Sequence, residues 1–247
     1  MVMFPVVSTI SKIVKEQWKL SLFVLLFLPL LIRLGFWQLD RAEERQQLLA
    51  VYQYQQNLAV ENIEQLSVIG EEIRYRPVRI TGEYDPQRYW LLDNQSRAGK
   101  VGYEVIVPLQ TTNAEWILVN RGWVAAPRLR SDLPVIDTPL GSVTIEGYFS
   151  PPSKNAIFTQ PSNNNEQWPK RIIELNMTNA EIALSAEIYP QLLRINSDSA
   201  GAFVTDWPVI NTSPEKHYGY AVQWFLMALA LVFLYAWAII RNDNNKK

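Results

Sequence analysis

The amino-acid sequence predicts a membrane protein: two transmembrane helices, N- and C-terminal, flank an extracytoplasmic α+β domain that is mainly antiparallel β and able to form a barrel. Three observations support this prediction. An apolar segment long enough to cross a membrane lies near each end of the chain. The residues between these segments contain short runs that alternate apolar and polar side chains, which is typical of half-buried strands. Hydrophobic residues make up 48% of the chain and charged residues only 19%, and the apolar excess is concentrated in the two terminal segments.

The first apolar segment covers residues 18–37 and reads WKLSLFVLLFLPLLIRLGFW. About 20 residues cross the hydrocarbon core, and Lys19 and Arg33 are near enough to its ends to extend to the two interfaces. A cleaved signal peptide would be followed by small residues, but GFWQLDRAEER follows here, so we expect an uncleaved anchor. Residues 39–58 are rich in Glu, Gln, Arg and Leu, and we expect the helix to continue through them.

The second apolar segment, residues 217–240, has no Asp, Glu, Lys or Arg and carries aromatic residues toward both ends. That is the pattern of a transmembrane helix with interfacial aromatic belts. Lysines and arginines are concentrated before the first segment and after the second, so we expect both termini, residues 1–17 and 241–247, to be cytoplasmic. Residues 38–216 would then lie outside the cytoplasm. In a bacterium they would form a periplasmic domain of a multi-pass protein in the inner (plasma) membrane.

The region between the two helices contains six candidate strands, of which residues 76–84 alternate apolar and polar side chains and residues 89–92 are short and apolar. They are residues 76–84, 89–92, 102–110, 115–124, 142–149 and 171–176. One amphipathic helix is expected at residues 179–189, with Thr178 as its N-cap. Residues 127–141 and 151–169 are rich in proline or polar residues and are expected to be irregular.

Composition excludes several classes of site and partner. The chain has no cysteine, which removes disulfides, thiolate nucleophiles, iron–sulfur clusters and c-type haem attachment. Its one histidine cannot form a zinc site of several imidazoles. The net charge is −1 without a basic stripe, so we expect no nucleic-acid partner. Nucleotide loops and HExxH are absent, and Asp85, Asp93 and Glu104 are interpreted as solvated residues, so we expect no enzymatic activity.

The single histidine, His217, stands directly before the second apolar segment, at its expected outer boundary. Neutral imidazole is a common ligand of haem iron. Tyr218, Tyr220 and Trp224 follow and offer flat surfaces against which a porphyrin can pack. From position alone, a histidine beside tyrosines at a membrane interface is more often only an interfacial residue.

Three segments carry a resemblance to a known family. LGFWQLDR at residues 34–41 resembles the family motif LGxWQxxR, which follows the first membrane helix. ILVNRGWV at 117–124 resembles a central strand, and HYGYAVQWF at 217–225 resembles the HxxYxxxWF opening of the second membrane helix. Their order and spacing also agree over nearly the whole chain. The sequence is therefore similar to the Surfeit locus protein one family, the assembly factors of haem–copper cytochrome c oxidase.

The resemblance implies a function, a cofactor and partners. The family supports biogenesis of cytochrome oxidase subunit one, and bacterial members are linked to binding haem a and handing it to that subunit. The expected partners are therefore subunit one, the haem a synthase and membrane lipid. The family's proposed haem ligand is the histidine that opens the second membrane helix, which matches His217 here.

The predicted cofactor site places His217 on the haem iron and combines it with residues from the three motifs. The other predicted site residues are Tyr220, Trp224, Trp37, Arg41 and Arg121. Arginine binds carboxylates through a bidentate fork, so Arg41 or Arg121 could hold the haem propionates. Arg121 is also interpreted as a structural residue of its strand, and Trp37 and Trp224 equally as membrane anchors.

Two other functions remain open at this point. A scaffold would hold a subunit-one intermediate together without binding haem, and the polar residues 93–100 are a candidate surface for such a contact. A membrane-bound hydrolase is the second alternative, and it is disfavoured because the chain lacks cysteine, a second histidine and any nucleophile motif.

Overall fold

A computed structural model describes residues 17–63, 73–150, 167–209 and 212–244. The chain divides into two compact units. Met1–Val51 and Pro208–Lys247 form the first, which we call the helix unit, and Tyr52–Trp207 form the second, the barrel unit. Most of the predicted irregular segment 151–169 lies outside the described residues.

Two long helices, α1 (Trp18–Gln56) and α3 (Pro214–Asn244), are long and apolar enough to cross a membrane. Only 11% and 6% of their most apolar stretches are buried, whereas the core helix of a soluble protein is mostly buried. Their length, composition and exposure indicate membrane anchoring. Helix α1 continues without a break through residues 39–56, so the expected helical extension is part of the same helix.

The two helices pack as an antiparallel pair inside the helix unit. Ser21 near the start of α1 hydrogen-bonds Tyr235 near the end of α3, with 2.7 Å between their oxygens. Buried and half-buried positions follow one another in steps of three and four, the spacing of a heptad seam. These inward positions are Ser21, Val24, Leu28, Leu31, Gly35, Gln38 and Ala42 on α1, and His217, Ala221, Trp224, Ala228, Leu231, Tyr235 and Ala238 on α3.

The barrel unit contains eight strands among its described residues. They are β1 (Glu61–Asn62), β2 (Pro77–Tyr84), β3 (Trp90–Arg97), β4 (Lys100–Thr111), β5 (Trp116–Ala125), β6 (Ser142–Ser150), β7 (Lys170–Ile172) and β8 (Leu192–Ile195). Five of them close into a barrel in the order β2–β6–β8–β5–β4–β2. All these pairings are antiparallel except β5–β8, so the predicted barrel of mainly antiparallel strands is confirmed.

Two hydrophobic clusters explain why the central strands are buried on both faces. Val105, Val107 and Leu109 of β4 belong to the cluster inside the barrel. Ile106, which points to the opposite face, belongs to a second cluster with residues of α2 (Met177–Leu184), such as Leu184. The last turn of α1 lies in the barrel unit, where the Tyr52 ring packs edge-to-face against Tyr75 and Tyr148.

The turn between β2 and β3 is held by Asp85. Its carboxylate accepts hydrogen bonds from the backbone amides of Gln87 and Arg88, both at 2.9 Å, and from Arg88 Nε at 2.5 Å. Burial by itself raises the pKa of Asp85, but these hydrogen bonds outweigh it and hold the pKa below its ordinary value. The ionised carboxylate is therefore a stabilising part of this turn.

The structure corrects the predicted strands. Strand β3 extends to Arg97, well beyond the predicted residues 89–92, and turns into β4 at Ala98 and Gly99, which both have positive φ. The polar segment 93–100 therefore belongs to the hairpin of β3 and β4. Strands β1 and β8 were not predicted, because two and four residues are too few to show a period.

The structure also corrects the predicted helix and its cap. Strand β7 ends at Ile172, whereas the predicted strand 171–176 ended four residues later. Helix α2 spans Met177–Leu184, and its N-cap is Asn176 rather than Thr178. Asn176 has an extended backbone and its side chain accepts the Asn179 amide at 3.1 Å, whereas Thr178 already lies in the first helical turn.

Candidate functional site

The single histidine forms a specific contact across the helix pair. His217 lies in the first turn of α3, and its Nδ1 is 2.8 Å from Oε1 of Gln38 on α1. The two residues are 179 positions apart in sequence, and both are half-buried in the seam. The contact joins two of the segments that carried the family resemblance, LGFWQLDR and HYGYAVQWF.

This hydrogen bond links the orientation of the Gln38 amide to the tautomer of the imidazole. With the Gln38 amide oxygen toward the ring, as in this structure, the oxygen can only accept, so Nδ1 of His217 is the donor in this arrangement. In the neutral ring the other nitrogen, Nε2, then holds a lone pair. Histidines that bind metals have this arrangement, in which the second ring nitrogen donates to a protein oxygen. This arrangement leaves Nε2 as the ring nitrogen that could bind a metal.

Glycine and phenylalanine let the two helices approach closely one turn below this bond. The Phe225 ring lies directly over Gly35, and a Cβ added at Gly35 would lie 2.5 Å from a ring carbon. Phe36 contacts the same ring edge-to-face, with 5.4 Å between centroids. A side chain at residue 35 would collide with this ring, so either the ring or the helices would have to move, which gives this glycine a packing role.

The two sides of the helix pair differ. Tyr218 hydrogen-bonds Gln46 at 3.2 Å, which marks one side. Successive residues of a helix are rotated by about 100° around its axis. Around the axis of α1, Arg41 and Trp37 are rotated roughly 60° and 100° from Gln38, and Gln46 is rotated in the opposite direction. Tyr220 lies roughly 60° from His217, again away from the Tyr218 side.

The second side therefore collects predicted site residues from both helices. Trp37 and Tyr220 are 47% and 50% exposed, and Trp224 is half-buried beside them. The Arg41 guanidinium lies 5.8 Å from the Trp37 ring and pairs with Glu44 at 2.6 Å. We call Trp37, Arg41, His217, Tyr220 and Trp224 the ligand face.

The ligand face has the groups that a haem needs. It offers one imidazole with a free lone pair, exposed aromatic surfaces that can pack against a flat ring, and one cation that can pair with a carboxylate. Haem iron is commonly held by a single protein imidazole, so this set fits haem. Among the described residues no group of three or more His, Asp or Glu is placed to hold a metal ion.

The sixth predicted site residue, Arg121, is buried in the barrel unit. It is 1% exposed, and its guanidinium donates to Gly201 O at 2.7 Å, Asp137 O at 2.7 Å and Thr138 Oγ1 at 3.0 Å. Burial lowers the pKa of Arg121 from its ordinary value. These contacts are those of a structural residue that ties irregular segments to the barrel, so a role with haem propionates stays a prediction.

The rest of the ILVNRGWV motif also has structural contacts. Asn120 donates to Glu104 Oε2 at 2.7 Å and accepts the Gly122 amide at 3.1 Å. Gly122 has φ of 115°, and a Cβ there would lie 2.8 Å from Val204 O, so only glycine fits. This central motif therefore builds the barrel unit.

The interpretation of two carboxylates as solvated was wrong. Glu104 is buried and bonded to Asn120, and Asp93 is buried and pairs with Arg130 at 2.9 Å. Asp93 lies on β3 and Glu104 on β4, and each buried carboxylate has a hydrogen-bonding or charged partner that offsets its lost hydration.

The residue that holds the histidine was not predicted as a site residue. Gln223, the polar residue within the second apolar segment, was the expected partner of the first helix by its polarity, but its side chain is exposed. Gln38 and Gln46 make such bonds instead. The available signal was the heptad spacing of Ser21, Gly35 and Gln38, which places Gln38 on the seam.

A sequence model of the SURF1 family matches residues 25–229. A SURF1-like protein of Rickettsia felis is 29% identical over 88% of this chain and 95% of its own length. SURF1-like proteins of Rickettsia prowazekii and Dictyostelium discoideum are each 24% identical, over 92% and 65% of this chain and 91% and 71% of their own lengths. The match includes all three motif segments and confirms the resemblance that they indicated. The chain belongs to the SURF1 family, a family of cytochrome oxidase assembly factors rather than of enzymes.

Proposed function

We propose that this protein assists cytochrome c oxidase assembly by binding haem a and aiding its insertion into subunit one. The observation that carries the proposal is the contact between His217 and Gln38, which leaves Nε2 of the single histidine free to bind iron. Family membership supports a role in oxidase assembly, and the chemistry of the ligand face supports haem a as the cofactor.

Each residue of the ligand face has a task in this proposal. Haem a, when bound, supplies an iron that accepts an imidazole nitrogen. His217 offers Nε2 to it, while the exposed rings of Trp37 and Tyr220 cover apolar parts of the macrocycle. Arg41, which pairs with Glu44 in this structure, would hold a propionate, because guanidinium groups bind carboxylates well.

The proposed task is carriage without bond chemistry on the haem. His217 would be the single imidazole that holds the haem, so the hold would be weaker than in a site with two strong protein ligands. Subunit one then takes the haem by binding it more tightly, and the haem a synthase supplies it. The exposed apolar surface of α1 and α3 keeps this exchange in the lipid, where haem a is soluble.

The proposed location follows from the helix pair and its flanking charges. Because α1 and α3 are antiparallel, the N- and C-terminal ends of the pair lie together. Lysines and arginines are concentrated in the sequence next to those ends, which supports a cytoplasmic location for both termini. The barrel unit and the ligand face are then on the periplasmic side of the bacterial inner membrane.

The test is the visible spectrum of detergent-purified protein from cells that also make haem a. Wild type is compared with His217→Ala and with Tyr218→Phe, a matched control that removes the neighbouring hydrogen bond to Gln46. We expect haem a bands in wild type and Tyr218→Phe and their loss in His217→Ala. Equal haem in His217→Ala would refute the ligand role. No haem in any of the three would favour the scaffold function.

A further inference from the structure

Only one side chain in the described structure hydrogen-bonds His217, and it belongs to a different helix. We propose that Gln38 is a positioning residue that sets the tautomer of His217 and thereby makes Nε2 available to the haem iron. The haem part of this proposal rests on the proposed function. The tautomer part concerns the protein alone.

The two neutral tautomers of histidine are not equivalent as ligands. In water the proton of neutral histidine prefers Nε2, and this form has its lone pair on Nδ1, next to the backbone. The hydrogen bond made by one ring nitrogen decides which tautomer is present. Gln38 Oε1 selects the proton on Nδ1, which is the minority form in water, and so moves the lone pair to the outer nitrogen.

The location of Gln38 makes this selection firm. Gln38 lies on the heptad seam between Gly35 and Ala42, which are both buried, and Gly35 packs against Phe225 of α3. Close packing at Gly35 against Phe225 holds the helices near each other one turn away. Gln38 is half-buried, so water competes less for its carbonyl than at an exposed position.

A neutral amide also suits a carrier better than a carboxylate would. Carboxylate partners raise the basicity of a metal-binding histidine and tighten the bond to the metal. Gln38 orients the ring without adding a charge, so the iron is held by an ordinary neutral imidazole. A carrier that must release its haem to subunit one needs this weaker bond.

The tautomer can be measured directly because the chain has one histidine. The protein, carrying a purification tag without histidine, is labelled with 15N-histidine and its two imidazole nitrogens are observed by NMR without haem, above about pH 8, where ordinary imidazole is neutral. The variants are Gln38→Met, which keeps the shape but loses the acceptor, and Gln38→Glu, which keeps an acceptor. Gln46→Met is the matched control, since it removes the other glutamine bond between the same helices.

We expect a protonated Nδ1 and an unprotonated Nε2 in wild type, Gln38→Glu and Gln46→Met. In Gln38→Met the proton should move predominantly to Nε2. A wild-type protein with its proton on Nε2, or a Gln38→Met protein with the wild-type pattern, would overturn the proposal. Circular dichroism checks that each variant is folded. A wild-type tautomer in Gln38→Glu would show that Gln38→Met acts through loss of the acceptor and not through general disruption of the helix pair.

Haem titration of the same purified proteins provides the second measurement. Loss of a partner that orients a metal ligand typically costs 10–100-fold in affinity, so Gln38→Met should bind haem about 10–100-fold more weakly than Gln46→Met. Gln38→Glu should bind at least as tightly as wild type. Equal haem affinity of Gln38→Met and Gln46→Met would overturn the positioning role. A Gln38-dependent tautomer in a wild-type protein that binds no haem would refute the proposed function alone.

Discussion

Replacing Arg121 by methionine separates its structural role from a role in haem binding. The guanidinium donates to three acceptors, Gly201 O, Asp137 O and Thr138 Oγ1, and it lies 5.2 Å from the Tyr84 ring and 4.7 Å from the Phe203 ring. Methionine fills part of the volume but leaves all three acceptors without this donor. The substitution therefore disturbs the barrel unit and leaves the ligand face unaltered.

The size of the effect follows from these contacts. An unsatisfied buried acceptor costs about 1–3 kcal/mol, and three acceptors with partial relaxation give about 3–5 kcal/mol. A domain of this size loses about 2–4 °C of melting temperature for each kcal/mol, so the expected decrease is roughly 6–20 °C. Tryptophan fluorescence during thermal unfolding of the detergent-purified protein measures it.

Arg79→Met is the matched control. Arg79 lies on β2 and pairs with Glu146 at 2.6 Å, but the Arg79 side chain is 49% exposed. Exposed pairs contribute about 0–1 kcal/mol, so the control should melt within a few degrees of wild type. Equal melting temperatures for Arg121→Met and Arg79→Met would refute the structural role. Loss of haem from folded Arg121→Met at low temperature would instead support the propionate role.

Three further predictions concern the helix pair and a turn. Gly35→Val should separate α1 from α3 and abolish haem binding. Gly219→Val is the control and should keep haem binding, because a Cβ at Gly219 meets nothing within 4 Å. Equal haem binding by the two variants would contradict the packing role of Gly35. Arg41→Met should weaken haem binding about fivefold to tenfold in titrations, and no change would exclude it as a propionate partner. The lowered pKa of Asp85 adds stability above its unfolded pKa of about 3.9, and this contribution is lost as pH falls through the folded pKa. Asp85→Asn should therefore show a shallower loss of stability than wild type between about pH 5 and pH 2 in acid-unfolding curves, and an identical slope would contradict this assignment.

Most of the architecture could be predicted because it rests on local patterns. Residues 76–84 alternate apolar and polar side chains, and residues 102–110, 115–124 and 142–149 are runs of at least eight residues with the composition of strands. Each of the four segments corresponds to a strand of the barrel. Strand β8, Leu192–Ile195, was missed although it closes the barrel between β5 and β6. Four residues carry no readable period, and their pairing depends on partners far away in sequence.

The candidate site shows the same division. The motifs identified His217, Trp37, Arg41, Tyr220 and Trp224 as site residues, and the antiparallel helix pair brings them to one side. Helical spacing alone could not select that side, because it depends on which residues of α1 face α3. The Gln38–His217 bond reveals this choice.

By itself the sequence determined that the chain has two helices able to cross a membrane, a strand-rich region between them and the motifs of the SURF1 family. These properties depend on the length, apolarity and order of neighbouring residues, which are local. Only the tertiary structure decided that Gln38 holds Nδ1 of His217 and that Arg121 is buried among backbone carbonyls. Both are contacts between distant segments, and their partners are fixed by helix packing and barrel closure rather than by nearby sequence.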